Sequence, residues 1–451
     1  MYSSFLYRKL PRLFQEILIS ARFYTMEKIK ESGRFASYRE KVNLSQWLSP
    51  IEMESLKNDK LSTLLTALKS TPYYQPLVDD IQILDVRSLK KLPFIDKQIV
   101  RAAIDDFINL DFSGAQTSGR TSGTTGAPLA LHKSYEELRW EAAYVARQLE
   151  WAGYTAGEKR VWLRGDMIVA GMQSEPPFWR MNYTDNMLMM SSYHLSARNA
   201  DSYISRLGDF DPVLIQAYPS SIVFLAKYLE QTSQYYQGAS LEGIMTSSES
   251  FSPMEKILVR DRFCCKIFDW YGCYERVAAI ATCEYERYHL LDDYSHVELL
   301  PDDNGRYQIV GTNYNNLLMP LVRYKTGDFV RVEEPDVQCK CGRKFPLIKE
   351  IYGRDDDSII TPNGRFINRL DHIFKHAKGV VEAQIVQTDI RHVRILVVPT
   401  ENYSSAVSEK ILAEFQQRVG GELLASIEVV DAIQRTSNGK FKSVICEIGQ
   451  A

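Results

Sequence analysis

Between Val213 and Trp270 the chain repeats one pattern, a short apolar run followed by a helix-length segment. The runs are Val213–Ala217, led by Pro212, then Gly243–Thr246 and Lys266–Trp270. Pro219 to Leu229 has helical character. Ser252-Pro253-Met254-Glu255 opens the next helix with an N-cap hydroxyl, a first-turn proline and a capping glutamate. Short apolar strands alternating with helices predict an α/β fold, with a mainly parallel sheet covered by helices on both faces. Ligands of such sheets bind at the carboxyl ends of the strands. That rule singles out Tyr218-Pro219-Ser220, Ser247-Ser248-Glu249 and Tyr271-Gly272-Cys273-Tyr274-Glu275, each directly after a predicted strand.

Beyond Glu286 the pattern changes. His296–Leu300, an Asp303-Asn304-Gly305 turn and Tyr307–Gly311 predict a hairpin, and strand-like segments continue to Val332 as an antiparallel subdomain. A charged break at Gly353-Arg354-Asp355-Asp356-Asp357 precedes a short α+β unit. It has a hairpin at Asn363-Gly364, a helix, strands through Val386 and Val398, a second helix Ser408–Arg418 and a last strand near Val429. We expect a large N-terminal domain, residues 1–355, and a small mobile C-terminal domain, residues 356–451, with the boundary at Asp356.

A chain of 451 residues, 45% hydrophobic and 25% charged, is large enough for two or three cores. A net charge of −3 argues against a broad basic face, so no nucleic-acid partner is expected. Seven cysteines, an odd number, with no signal peptide in front suggest reduced thiols and a cytoplasmic protein. No apolar run approaches the roughly 18 to 20 residues that a spanning helix needs. Residues 1–59 read as a helical extension. In it Leu6, Leu10, Leu13, Phe14, Ile17, Leu18 and Ala21 form a stripe opposite Arg8, Arg12, Glu16 and Arg22. That stripe predicts a helix packed on the body of the protein; the alternative is a basic amphipathic helix that meets a membrane surface or a partner.

Thr121 to Pro128 alternates glycines with hydroxyl residues, so the backbone can turn tightly while its N–H groups and hydroxyls face one space, as phosphates require. It is not a Walker loop, since no Gly-Lys-Ser/Thr follows the second glycine and Leu129–His132 looks like a strand. A plain surface loop has the same composition. Ser134 and Glu137 have the spacing of a capping box for the helix that follows.

Further along, Tyr271-Gly272-x-x-Glu275, Tyr324-Lys325-Thr326-Gly327-Asp328, Gly353-Arg354-x-Asp356 and Asn438-Gly439-Lys440 follow this loop in that order. In this the chain resembles the adenylate-forming superfamily, the acyl-CoA synthetases and related ligases that convert a carboxylate and ATP to an acyl-adenylate. Thr71-Pro72-Tyr73-Tyr74, Tyr193-His194-Leu195-Ser196 and Tyr218-Pro219-Ser220-Ser221 look most like the phenylacetate-CoA ligase branch and its CapK-like relatives of capsular-polysaccharide biosynthesis. The resemblance runs from about Lys60 to the end. It implies that Thr121, Ser122, Gly123, Thr124, Thr125 and Gly126 hold the ATP phosphates, with Thr121 among the catalytic groups, and that Glu275 binds Mg²⁺. It further implies that Asp328 accepts hydrogen bonds from the ribose, that Ser248, Glu249, Tyr271 and Gly272 line the adenine site, and that Arg354 touches the nucleotide. Asp356 would be the hinge and Lys440 the adenylation lysine, while His194, Tyr218 and Pro219 would border the acyl pocket. One departure is Ala127, where family loops often carry lysine.

Cys283, His289, Cys339 and Cys341 offer a Cys₃His tetrahedron for a structural Zn²⁺, and members of the same branch carry a similar set; buried apolar thiols are the other reading. The acceptor is open. An amine or hydroxyl, for example on a sugar or amino acid, is favoured by the polar, aromatic stretch Arg164–Tyr193, because a small aryl acid needs a more apolar pocket. The alternatives are CoA as acceptor, or a non-catalytic nucleotide-binding scaffold.

Overall fold

A twelve-stranded sheet runs through the large N-terminal part of the chain. The computed structural model describes every residue except 1–6, 8, 32–33, 81, 84, 121–128, 171–172, 355–358, 363–365, 368–369, 375–376, 378, 420, 422, 437–440 and 449–451. A separate hairpin comes first in the chain, β1 (Gln116–Arg120) with β2 (Ala130–Ser134). The large sheet then uses β3 (Arg160–Arg164), β4 (Trp179–Asn182), β5 (Met187–Ser191), β6 (Leu214–Ala217), β7 (Gly243–Ser247) and β8 (Lys266–Gly272). It continues with β9 (Ala279–Thr282), β10 (Tyr288–Leu290), β11 (Ser295–Pro301), β12 (Tyr307–Asn313), β13 (Tyr324–Val332) and β14 (Leu347–Arg354). Across the sheet the order is β11-β12-β13-β14-β10-β9-β8-β7-β6-β3-β5-β4.

The three expected apolar strands are β6, β7 and β8, and with β3 and β5 they form the parallel part. Helices Ala200–Phe210, Pro219–Gln231 and Pro253–Phe263 cover one face, where Ile215, Ile222, Leu225, Ile244 and Phe263 are buried together. Helices Phe35–Ser45 and Tyr135–Trp151 cover the other, against Leu214, Phe268 and Ala281. The antiparallel part is present as expected. It is joined edge to edge with the parallel part, because the chain reverses after Gly272 and β9 pairs with β8, Tyr271 opposite Ile280. Ser252 and Glu255 form the full capping box. Ser134 forms half of one: its Oγ accepts from Glu137 N at 3.0 Å, but the Glu137 carboxylate turns inward between Lys133 and Arg276, at 3.8 Å from each.

The C-terminal unit has its own core around Ile385, Ile395, Ile411 and Phe415. A short pair, β15 (Ile359–Ile360) and β16 (Phe366–Ile367), leads into a four-stranded sheet. Its strands are β17 (Val380–Asp389), β18 (His392–Pro399), β19 (Leu424–Val429) and β20 (Val444–Cys446), ordered β19-β18-β17-β20 and covered by helix Ser405–Val419. The strand β20 adds to the elements anticipated from sequence. The boundary residue Asp356 and the turn Asn363-Gly364 lie outside the described residues.

The N-terminal helix, Arg12–Glu31, corrects an expectation. It packs on the body, but through its polar side: Gln15, Glu16 and Ile19 are 5%, 3% and 0% exposed, whereas Leu13, Phe14, Ile17 and Leu18 are 58%, 54%, 50% and 40% exposed. The cause is the edge of the sheet. On the side of β4 away from β5, Glu16 Oε1 accepts from Met181 N at 3.1 Å and Ser20 Oγ from Tyr183 N at 2.9 Å. Arg180 Nε donates to Gln15 Oε1 at 2.6 Å. Unpaired edge amides need polar partners, and this helix supplies them from its polar stripe.

A buried ion pair binds the N-terminal helices to the sheet. Arg147 meets Asp293 through two hydrogen bonds, of 2.6 and 3.2 Å, and both side chains are fully buried. Ser45 Oγ donates to Asp293 Oδ2, and Arg147 also donates to Val42 O at 2.8 Å, so helices Phe35–Ser45 and Tyr135–Trp151 meet the start of β11 here. Removing one partner of such a pair leaves a desolvated charge. Arg147→Ala should lower the unfolding free energy by about 3 to 5 kcal/mol in urea denaturation. The double variant Arg147→Met with Asp293→Leu should lose less, because no charge is left unpaired. A fully stable Arg147→Ala protein would refute this role.

Candidate active site

Four segments meet where the parallel strands end. Arg164 closes β3, Tyr218 follows β6, Ser248 and Glu249 follow β7, and Tyr271 to Glu275 close β8 and the turn beyond it. Tyr271 Oη donates to Asp328 Oδ2 at 2.7 Å, joining the end of β8 to β13. Burial and the facing Asp328 anion push the Tyr271 hydroxyl well above its ordinary pKa, so it stays a donor. Asp328 N donates to Thr326 Oγ1 at 3.0 Å, and in the β13–β14 register Asp328 stands opposite Arg354. The buried Glu275 carboxylate accepts from Tyr324 Oη at 2.9 Å, and its carbonyl from Asn313 Nδ2 at 3.2 Å. The structure thus brings Tyr271, Gly272, Glu275, Asp328 and the backbone of Arg354 together.

The loop Thr121–Gly126 lies outside the described residues, but the hairpin that carries it does not. Lys133 Nζ on β2 donates to Tyr274 O at 2.6 Å and sits 4.2 Å from the centroid of the Tyr274 ring. Over β1 the approach is so close that a Cβ on Gly119 would lie 1.8 Å from the Tyr274 hydroxyl. A larger residue there would have to push the Tyr274 ring aside, and the stem of the loop is held against the turn between Gly272 and Glu275. Burial and the neighbouring Arg276 lower the Lys133 ammonium to about 8, with Glu137 opposing.

Two expected pocket residues are otherwise engaged. His194 has both ring nitrogens in use, Nδ1 with Ser191 Oγ at 2.8 Å and Nε2 with Ala170 O at 3.2 Å, and its ring stacks on Phe178. Glu249, expected beside adenine, accepts from Ser220 N at 3.0 Å and from Phe441 N at 2.7 Å. It therefore joins the start of helix Pro219–Gln231 to the C-terminal unit, and its burial raises its pKa. Pro219 starts that helix behind Tyr218. Asp356 and Lys440 lie outside the described residues.

Arg164 is the site residue that sequence reasoning passed over. Its Nη2 donates to Ser247 Oγ at 2.6 Å and Ser248 Oγ at 3.0 Å. The guanidinium lies 4.9 Å from the Trp162 ring centroid and 5.0 Å from that of Tyr218. Ser248 adopts a left-handed φ of 73°. An arginine ending an apolar strand reads as a solvated charge; its place at a carboxyl strand end was the available signal.

The Cys₃His set converges. The three sulfurs and one His289 ring nitrogen lie within 4.8 Å of one another, with Cys283 Sγ 3.5 Å from Cys339 Sγ and Cys341 Sγ 3.4 Å from His289 Nε2. A zinc tetrahedron with Zn–S bonds near 2.3 Å has ligand–ligand edges of about 3.5 to 3.8 Å, so these residues fit the ion. Burial holds the imidazole neutral, pushed down to about 4, which leaves its nitrogen available to a metal. Without metal, burial also pushes the Cys283 thiol up to about 12, so a bound cation would replace its proton. Tyr285 N already donates to Cys283 Sγ at 3.4 Å. Cys283 follows β9, His289 lies on β10, and the Cys339–Cys341 loop precedes β14, so the set straddles three neighbouring strands.

Known proteins resemble this chain in sequence and in fold. Residues 359–447 match the family model of the CapK C-terminal domain. The chain is 23% identical to protein CapK of Staphylococcus aureus over 99% of both chains, and 22% identical to the phenylacetate-coenzyme A ligase of Thermus thermophilus over 87% of this chain and 96% of that one. Among solved structures, 2-hydroxyisobutyryl-CoA ligase in its postadenylation state superposes with a TM-score of 0.69 at 17% identity, over 89% of this chain and 91% of that one. The chain is thus similar over nearly its whole length to CapK and to phenylacetate-CoA ligases, its C-terminal unit matches the CapK C-terminal domain, and it shares the fold of a CoA ligase of known structure.

Proposed function

We propose that the protein is an ATP-dependent, AMP-forming ligase that activates a carboxylic acid and passes the acyl group to an amine or hydroxyl. The observation that carries this is the meeting of Glu275, Tyr271 and Asp328 at the stem of the hydroxyl–glycine loop. A carboxylate oxygen attacks the α-phosphorus, forming one P–O bond as the bond to pyrophosphate breaks; the acceptor then attacks the acyl carbon and AMP leaves. Two anions meet in the first step, so positioning and charge neutralisation supply most of the catalysis. Mg²⁺ held at Glu275 would neutralise phosphate charge. Asp328, held by Tyr271, would take the ribose hydroxyls, and Thr121, Ser122, Thr124 and Thr125 the phosphates. Lys440 would meet the carboxylate and α-phosphate, and Asp356 would let the small domain turn between the half-reactions. If so, Lys440→Ala should slow acyl-adenylate formation by roughly 10²-fold while transfer from preformed adenylate suffers much less. Single-turnover kinetics of both half-reactions decide it; equal slowing, or untouched adenylation, would exclude that role.

Arg164 supports a polar acid over a small aryl one. Its Nη2 donates to two serine hydroxyls at the strand ends, and Asp166 and Glu249 lie near enough to favour its charge, so a cation stands where a polar substrate would enter. In pyrophosphate exchange with a panel of carboxylates, the best acid should be polar. Arg164→Ala should lower kcat/KM for it by about 10- to 100-fold, the size of one lost hydrogen bond to a charged group, with KM for ATP unchanged. Equal loss toward acid and ATP would mean that Arg164 only shapes the strand ends. A sugar or amino acid acceptor, in surface polysaccharide biosynthesis, fits the CapK relationship. CoA is the second reading, and running the transfer step with CoA against amines separates the two. Absence of any exchange would favour a nucleotide-binding scaffold.

We also propose structural Zn²⁺ at Cys283, His289, Cys339 and Cys341. Protein purified without added metal should carry about one zinc per chain by elemental analysis. Cys339→Ser with Cys341→Ser should lose it and lower the thermal midpoint; a metal-free, equally stable wild-type protein would remove the site.

A further inference from the structure

The N-terminal helix leaves its apolar stripe uncovered, and we infer that this stripe docks on an anionic lipid surface. Leu13, Phe14, Ile17 and Leu18 recur at helical spacing on the outer side, and Tyr24, 54% exposed, extends the row by two turns. They cannot turn inward, because Gln15, Glu16 and Ser20 on the opposite side are tied to Arg180, Met181 and Tyr183 at the sheet edge. The helix is therefore locked with its apolar side outward by hydrogen bonds that cap β4. Scattered apolar residues on a surface need no explanation; a continuous stripe along one helix does.

The occupant follows from the charges. Arg22 and Lys28 are exposed along the same helix and Lys9 just before it, while Arg12 pairs at 2.8 Å with Glu16, which is buried and engaged with β4; Glu27, next to Lys28, is half-buried. Apolar side chains flanked by basic ones, with an exposed tyrosine, are what an interfacial helix presents to acyl chains and acidic headgroups. A second copy of the chain is disfavoured, since pairing two such helices side by side would set like charges against each other. No helix among the described residues is long and apolar enough to cross a membrane, so the contact is peripheral. The stripe spans about 18 Å at 1.5 Å per residue, enough for one helix lying in the plane of the headgroups.

The test is flotation of the full-length protein with vesicles of phosphatidylglycerol mixed with phosphatidylcholine, against phosphatidylcholine alone. The wild type should float with the anionic vesicles, and less well at high salt. Phe14→Glu with Ile17→Glu should cut the bound fraction by about tenfold or more, since two exposed apolar anchors are replaced by like-charged repulsion. Its thermal midpoint should fall little, because Phe14 and Ile17 are already half exposed. Arg22→Ala with Lys28→Ala should weaken binding to anionic vesicles alone. Wild-type protein that stays with the unbound fraction, or a glutamate variant that floats as well as wild type, would overturn the inference. So would light scattering that shows a wild-type dimer which the glutamate variant dissolves, with no lipid binding: the face would then belong to a second copy.

Discussion

The pairing of β8 with a parallel neighbour on one side and an antiparallel one on the other is the constraint on which the rest of this molecule depends. On one flank β7 runs alongside β8 and requires a crossover helix; on the other, β9 follows after a tight reversal. The reversal brings Glu275 into the turn directly beyond the strand end, where a doubly wound sheet presents ligands. Because β9, β10 and β14 follow in hydrogen-bonded order, β13 with Asp328 is fixed relative to β8 as well. The Tyr271–Asp328 bond is the local expression of that join.

The Cys₃His cluster lies at the same join, on the strands that connect the two halves. Its ligands come from β10, from the turn after β9 and from the loop before β14, so a metal there would hold that order independently of the ladder hydrogen bonds. Arg343, two residues past Cys341, pairs with Glu284 at 2.7 Å and donates to Gln46 at 2.8 Å, which extends the same junction to the N-terminal helices.

Much of the parallel sheet was legible because β6, β7 and β8 are covered on both sides and carry compact apolar runs. The capping chemistry of Ser252 and Glu255 could be read for a similar reason: it needs no tertiary partner. Residues 160 to 191 were harder. The strand β5 is Met-Leu-Met-Met-Ser, fully buried, yet it sits in a stretch that reads as polar and aromatic, and its periodicity distinguishes nothing. For the N-terminal helix, periodicity located the stripe but not its direction. Direction was decided by backbone amides of β4, and a side-chain pattern carries no record of them. The partners of His194 and Glu249 differ in kind: the hydroxyl of Ser191 is three residues away, whereas the amide of Phe441 is 192 residues away and follows only from long-range packing.

The cap on β4 also sets an order on biosynthesis. Glu16 is made well before the residue whose amide it accepts from, Met181, 165 residues later. Until that strand exists, the helix has no edge to sit on, and both its sides face solvent or whatever else is near the nascent chain. Contacts this distant in sequence form late, since the intervening loop must close before they return any free energy. The sheet's open edge is therefore guarded by a segment that waits for it through 165 residues of synthesis.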